Sequence, residues 1–162
     1  NRIRSALSAA IQAKDQTAAM EILDQGILRF PENSSLKMQK FNLLLTRFHQ
    51  YKAAYILGNQ LVDINFEDSR VLNSIAWTIA DTEGLEVRDL ELAMKAAVQA
   101  NQLTGSEDAA VLDTLARVYY ETGDLRGALK WRNRASKYAA AGGQGDSIRQ
   151  VLQQYQDEFD KK

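Results

Sequence analysis

The chain is predicted to be all-α: an α-solenoid of about four antiparallel helix pairs, ended by a capping helix. Three observations predict this. An apolar pattern recurs at the length of a helix pair. Met38, Phe41, Asn42 and Leu45 are followed 34 residues later by Leu72, Ile75, Ala76 and Ile79, and 40 residues further by Leu112, Leu115, Ala116 and Tyr119. A second pattern, of mostly small residues, appears as Ala19, Leu23 and Gly26, then as Ala54, Gly58 and Leu61, as Ala93, Ala97 and Ala100, and as Ala128, Arg132 and Ala135. Finally, 45% of the chain is hydrophobic with much Ala and Leu, and there is one proline, Pro31. That composition favours helix over strand. A fixed period of this size means stacked units that bury their apolar faces on one another.

The elements follow in order. In the first unit (1–33), Ile3, Leu7 and Ile11 share one helical face, Asp15 and Thr17 mark a break, and Ala19, Ile22, Leu23 and Ile27 form a second helix that Pro31 stops. Asn33, Ser34 or Ser35 can cap the next helix. In the second unit (34–68), Met38, Phe41, Leu45 and Phe48 precede a turn around His49, and Ala54, Leu57, Leu61 and Ile64 follow it. Asp68 or Ser69 can cap the third unit (69–107), with Leu72, Ile75 and Ile79 on its first helix and Leu92, Ala93, Ala96, Ala100 and Leu103 on its second. Its turn, from Asp81 to Asp89, is about five residues longer than the others. The fourth unit (108–141) turns at Thr122, Gly123 and Asp124, with Leu125, Ala128, Leu129, Ala135 and Tyr138 on its second helix. Gly142, Gly143 and Gly145 read as a flexible stop. Asp146 or Ser147 then caps a last helix (146–160) that sets Ile148, Val151, Leu152, Tyr155 and Phe159 against a polar side. A half-apolar helix suits the end of a stack.

Composition excludes several functions. With 20 basic and 21 acidic residues, the net charge of −1 gives no broad attraction to nucleic acid or an anionic membrane. The absence of cysteine excludes thiol catalysis, thiolate metal sites and disulfides. No apolar run approaches the ~20 residues of a membrane span. His49, the one histidine, has no companion for a metal site or a triad. The carboxylates fall on polar helix faces, where they are usually solvated. The glycines before the last helix lack the preceding strand and following lysine of a phosphate loop. Trp131, Arg132, Asn133 and Arg134 make a small basic-aromatic patch, read as surface and packing residues. No enzyme, cofactor or metal is expected. The chain opens at Asn1 almost inside a helix and reads as a fragment of a longer chain; the compartment stays open.

The fourth unit resembles a tetratricopeptide repeat. That family places a bulky residue, Leu, a small residue and Tyr on its first helix, a Gly-Asp turn, and two Ala seven apart on its second. Here these are Leu112, Leu115, Ala116, Tyr119, Gly123, Asp124, Ala128 and Ala135. The third unit matches apart from its longer turn. The first two match less well, with Asn42 where a small residue is usual and His49 where glycine is usual. The stretch from Leu72 to Trp77, the long turn with Arg88 and Asp89, and Leu112 to Ala116 also resemble the repeat tails of some bacterial multidomain proteins, several with a thioredoxin-like domain upstream.

The resemblance implies a ligand groove lined by the first helices. Its candidate residues are Arg4, Ser8, Gln39, Leu43, Arg47, Arg70, Asn73, Trp77, Asp113, Arg117 and Tyr120. Asn can bond a peptide amide, Arg a carboxylate, and Trp or Tyr supplies a stiff anchor. Each has a structural alternative: Trp77 packed beneath the 81–89 turn or against Arg117, Asn73 bonded between helices, the arginines solvated or ion-paired. The family's clamp for a C-terminal carboxylate would fall on Arg4, Ser8, Lys40, Arg70 and Ser74. Its two asparagines and last arginine are missing, so no such clamp is expected. The leading function is a non-catalytic scaffold for a protein or peptide partner. Self-association into a homo-oligomer and accessory docking for an enzyme on the same longer chain are the alternatives.

Overall fold

A computed structural model describes residues 2–140 and 143–161. These residues form helices and no strand. The helices are α1 (Arg2–Gln12), α2 (Gln16–Arg29), α3 (Ser34–Asn42), α4 (Tyr51–Ile64), α5 (Ser69–Asp81), α6 (Leu90–Leu103), α7 (Ala109–Glu121), α8 (Leu125–Tyr138) and α9 (Gly143–Phe159). A π-helical turn, Leu43–Arg47, extends α3. The all-α prediction holds, and the helix pairs fall where the repeat placed them. The chain forms two compact units, Asn1–Ile64 and Asn65–Lys162.

Side-chain caps set the helix starts. Asp15, Asn33, Asp68, Asp89, Asp108 and Asp124 each accept a hydrogen bond from a backbone N–H in the first turn of the helix that follows. Such a cap contributes about 1 kcal/mol by satisfying an amide the helix cannot. The turns inside the pairs share one more feature: Lys14, His49, Gly84 and Gly123 all lie in the left-handed region, at φ of 56°, 52°, 74° and 83°. Where the last two pairs place glycine, the first two force a side chain into that region, which costs roughly 1–2 kcal/mol. His49 is thus strained at the position where the repeat pattern prefers glycine.

In the first unit α1 packs on α2, α2 on α3, and α3 on α4. Leu7, Ala10, Ala19 and Leu23 form a buried cluster against which Ile11, Leu36, Leu43 and Phe48 pack. Phe41, Leu45, Ala54 and Leu61 are fully buried. Met38 is half-buried. Ile64, expected on the apolar face of α4, is 54% exposed.

In the second unit α7 is central and packs on α5, α6 and α8, while α8 packs on α9. Ile75, Ile79, Leu112 and Leu115 fill the spaces between helices, and Ala76, Ala93, Ala96, Ala97, Ala100 and Ala116 line the approaches with no exposed surface. Small residues let backbones come close, and the large ones fill the gaps. Leu103 and Tyr138, expected in the core, are 42% and 44% exposed, each in the last turn of its helix.

The long turn is anchored. Leu85 is buried, and Arg88 donates to the carbonyl of Ile79 and, at 2.7 Å, to that of Thr82. These bonds occupy carbonyls that the end of α5 leaves unpaired. Val87 remains exposed.

The capping helix departs from expectation. It begins at Gly143, so Gly143, Gln144 and Gly145 belong to it and are no flexible stop; Gly142 lies outside the described residues. Asp146 sits in its first turn and pairs with Arg149 at 2.8 Å, so it is not the cap. Gly145 is buried, and a Cβ there would collide with the Ala140 carbonyl. Gly145 permits a close approach, and that need leaves the same mark in a sequence as flexibility does.

The turn geometry makes a paired prediction. Lys14→Gly relieves a strained backbone and should raise stability by about 0.5–1 kcal/mol after the entropy of glycine is set against it. Gly123→Ala should lower it by about 1 kcal/mol, with no steric term because nothing lies within 4 Å of the added Cβ. Urea unfolding of both variants checks the opposite signs.

Candidate functional site

In the second unit, the exposed sides of α5 and α7 and the start of α9 enclose a recess of about 370 Å³. Its lining is Asn73 and Trp77 from α5, Ala110, Asp113 and Thr114 from α7, and Gln144 and Ser147 from α9. Positions 73 and 77 are one helical turn apart, so both side chains leave α5 on the same face. The structure therefore brings three of the sequence candidates, Asn73, Trp77 and Asp113, to one place.

Their states differ. Trp77 is 39% exposed, presenting part of its ring to the recess. The Asn73 Oδ1 is buried and accepts no hydrogen bond from the described residues. A buried acceptor left empty is unfavourable, and an incoming N–H would satisfy it. Thr114 donates its hydroxyl to the Ala110 carbonyl at 3.0 Å and is occupied within its own helix.

Asp113 is committed to the fold. Only 9% exposed, it forms an ion pair with Arg132 of α8, which is 3% exposed. Arg132 also donates to the Tyr155 hydroxyl at 3.3 Å, and its guanidinium lies 5.1 Å from the centre of that ring. Burial pushes the Arg132 guanidinium below its ordinary pKa, against the opposing influence of Tyr155 and Asp81. An arginine starts so high that it stays charged, so Asp113 is needed as its counter-ion. The recess thus meets a ligand through amides, a hydroxyl and an indole, with its carboxylate already neutralised.

The same network engages two further candidates. Tyr120 stacks on Tyr155 at 4.4 Å with the rings 2° from parallel, and it donates to Glu158 of α9 at 2.9 Å. That hydrogen bond, with burial behind it, raises the Tyr120 pKa above 10. Arg117 pairs with Glu121 at 2.9 Å and with Asp81 at 3.4 Å, and its guanidinium lies 5.6 Å from the centre of the Tyr120 ring. Arg117 and Tyr120 join α5, α7 and α9, and neither lines the recess. Arg70 is elsewhere again: its side chain is 92% exposed, 3.7 Å from Asp68.

Arg47 belongs to the first unit. There α1, α3 and the π turn form a groove of about 700 Å³ lined by Arg4, Leu7, Ser8, Ile11, Gln12, Gln39, Asn42, Leu43 and Arg47. Five of these (Arg4, Ser8, Gln39, Leu43 and Arg47) are the groove candidates of the first two repeats. Lys40, a clamp position, is paired with Asp24 of α2.

Two kinds of residue here carry little signal in the sequence. Arg132 belongs to a patch read as surface and packing residues, with no buried ion pair expected; it occupies the repeat position filled by Gly58 and Ala97, both buried. That register, applied strictly, identifies Arg132 as buried. Gln144 and Ser147 were missed because nothing in a repeat pattern says where a capping helix docks.

Two predictions follow from the network. Asp113→Ala leaves a buried cation unpaired and should cost about 3–5 kcal/mol, whereas the double variant Asp113→Leu/Arg132→Met should lose much less; denaturant unfolding of the single and double variants measures the coupling. Tyr120 has its pKa raised on folding, so its neutral form is the stabilising one. Its contribution is complete below pH 10, its unfolded value, and is lost as pH rises through the folded value. The stability gap between the wild type and Tyr120→Phe should be constant from pH 7 to 10 and narrow above that, as followed by thermal melts.

No protein-family model matches this chain, and no curated protein matches it significantly.

Proposed function

We propose that this chain is a non-catalytic scaffold of the tetratricopeptide-repeat type, binding an extended peptide or protein segment on its first-helix faces. The observation that carries this is the convergence of Asn73 and Trp77 in one recess: a buried amide oxygen with no partner beside a partly exposed indole. A peptide backbone offers the N–H that Asn73 lacks, and a neighbouring side chain can pack on the ring. The register of the four helix pairs and the Gly-Asp turn of the fourth support the family assignment. Neutralisation of Asp113 by Arg132 favours an uncharged stretch of partner at this recess, since a charged one would lose its hydration with no counter-ion left to meet it.

The test is an array of immobilised random peptides probed with the wild type, Trp77→Ala and Asn73→Ala. A set of peptides bound by the wild type should weaken by about tenfold or more in both variants, the loss expected for a central aromatic or buried amide contact. Both variants should melt within a few degrees of the wild type. Unchanged binding in Trp77→Ala, or its collapse as a fold, would show that Trp77 is structural and the proposal is wrong.

A further inference from the structure

Resting on the proposed peptide binding by the first-helix faces, we propose that the α1–α3 groove of the first unit takes an acidic segment carrying an apolar side chain. The charge distribution comes first. The two elements that line the groove, α1 and α3 with its π turn, hold Arg2, Arg4, Lys37, Lys40 and Arg47 and no carboxylate. The acids of this unit all stand on α2, α4 and the connecting turns. Lys40 is neutralised by Asp24, but Arg4 and Arg47, which line the groove, are exposed and form no ion pair among the described residues. Two guanidiniums on one groove without a counter-ion favour a ligand that brings carboxylates, which arginine can hold through two parallel hydrogen bonds.

Shape and polarity narrow the ligand further. Leu7, Ile11 and Leu43 give the groove an apolar floor, which would bury a ligand side chain. The Asn42 Oδ1 is buried with no hydrogen-bond partner among the described residues, so the groove has room for a donor as well as an anion. A peptide N–H supplies that donor; a bare phosphate does not. The π turn lies here, and its first and last residues, Leu43 and Arg47, both face the groove. Such turns interrupt regular helical bonding and are frequent at functional sites. No aromatic residue lines the groove, so nucleic-acid bases find nothing to stack on. An acidic peptide with an apolar residue between its carboxylates meets all of these requirements together.

The experiment uses the full chain and fluorescence anisotropy. The probe is a labelled peptide alternating glutamate and leucine; the comparison peptide has glutamine for glutamate, and an oligothymidylate provides phosphates. The acidic peptide should bind at least about tenfold more tightly than the glutamine peptide, and its affinity should fall with added salt. Arg4→Ala and Arg47→Ala should each weaken it by about tenfold, with Arg47→Lys keeping part of the affinity. Neither exposed arginine supports the fold, so these variants should melt with the wild type. Trp77→Ala should leave this binding unchanged, which separates this site from the recess of the second unit. Equal binding of both peptides, binding of neither, tighter binding of the oligothymidylate, or loss in Trp77→Ala but not in Arg47→Ala would each overturn the proposal.

Discussion

Close approach of helix backbones across small side chains is the constraint on which each unit rests. Ala54 and Gly58 on α4, and Ala93, Ala97 and Ala100 on α6, are buried where a larger residue would push neighbouring helices apart. Once the helices are that close, Leu and Ile side chains from adjacent turns fill the remaining space. Such burial stabilises by roughly 1.5–3 kcal/mol for each large side chain. The strained turns at Lys14 and His49 are tolerable because this packing outweighs them.

Arg132 is the exception to that rule. It stands at a small-residue position of α8 and is buried there because the structure supplies Asp113 on one side and Tyr155 on the other. The last pair is therefore joined to α9 by a polar chain at the position where the two preceding pairs use Gly58 and Ala97. Through Tyr155 the chain continues to Tyr120 and Glu158, so α9 is held by stacking and hydrogen bonds as well as by Ile148 and Val151. A polar junction of this kind specifies one docking geometry for the last helix, since any other would strand a buried charge.

The two candidate binding faces consequently differ in chemistry. In the second unit the carboxylate of the recess and the nearby Arg117 are both spent on the fold, and what remains is amide, hydroxyl and indole. In the first unit Arg4 and Arg47 have no ion-pair partner among the described residues and lie over an apolar floor. One repeat pattern thus produces a neutral face and a cationic one, and the difference lies in which charges the packing consumes.

The all-α class, the helix pairs, the caps at Asn33 and Asp68 and the residues of the first-helix faces were legible in the sequence. They follow from local rules: a 3.6-residue period, Asx side chains before helices, and a register that repeats. Arg4, Ser8, Gln39, Leu43 and Arg47 fell together, as did Asn73, Trp77 and Asp113, because equivalent positions on stacked helices face the same way. Tertiary structure alone decided the rest. It withdrew Asp113, Arg117 and Tyr120 into ion pairs and stacking, gave the buried Arg132 its counter-ion, began α9 three residues early and placed Gln144 and Ser147 at the recess. Those outcomes depend on which distant charges meet once helices dock, and a pairing between residues 19 positions apart, such as Asp113 and Arg132, leaves no periodic trace in the chain.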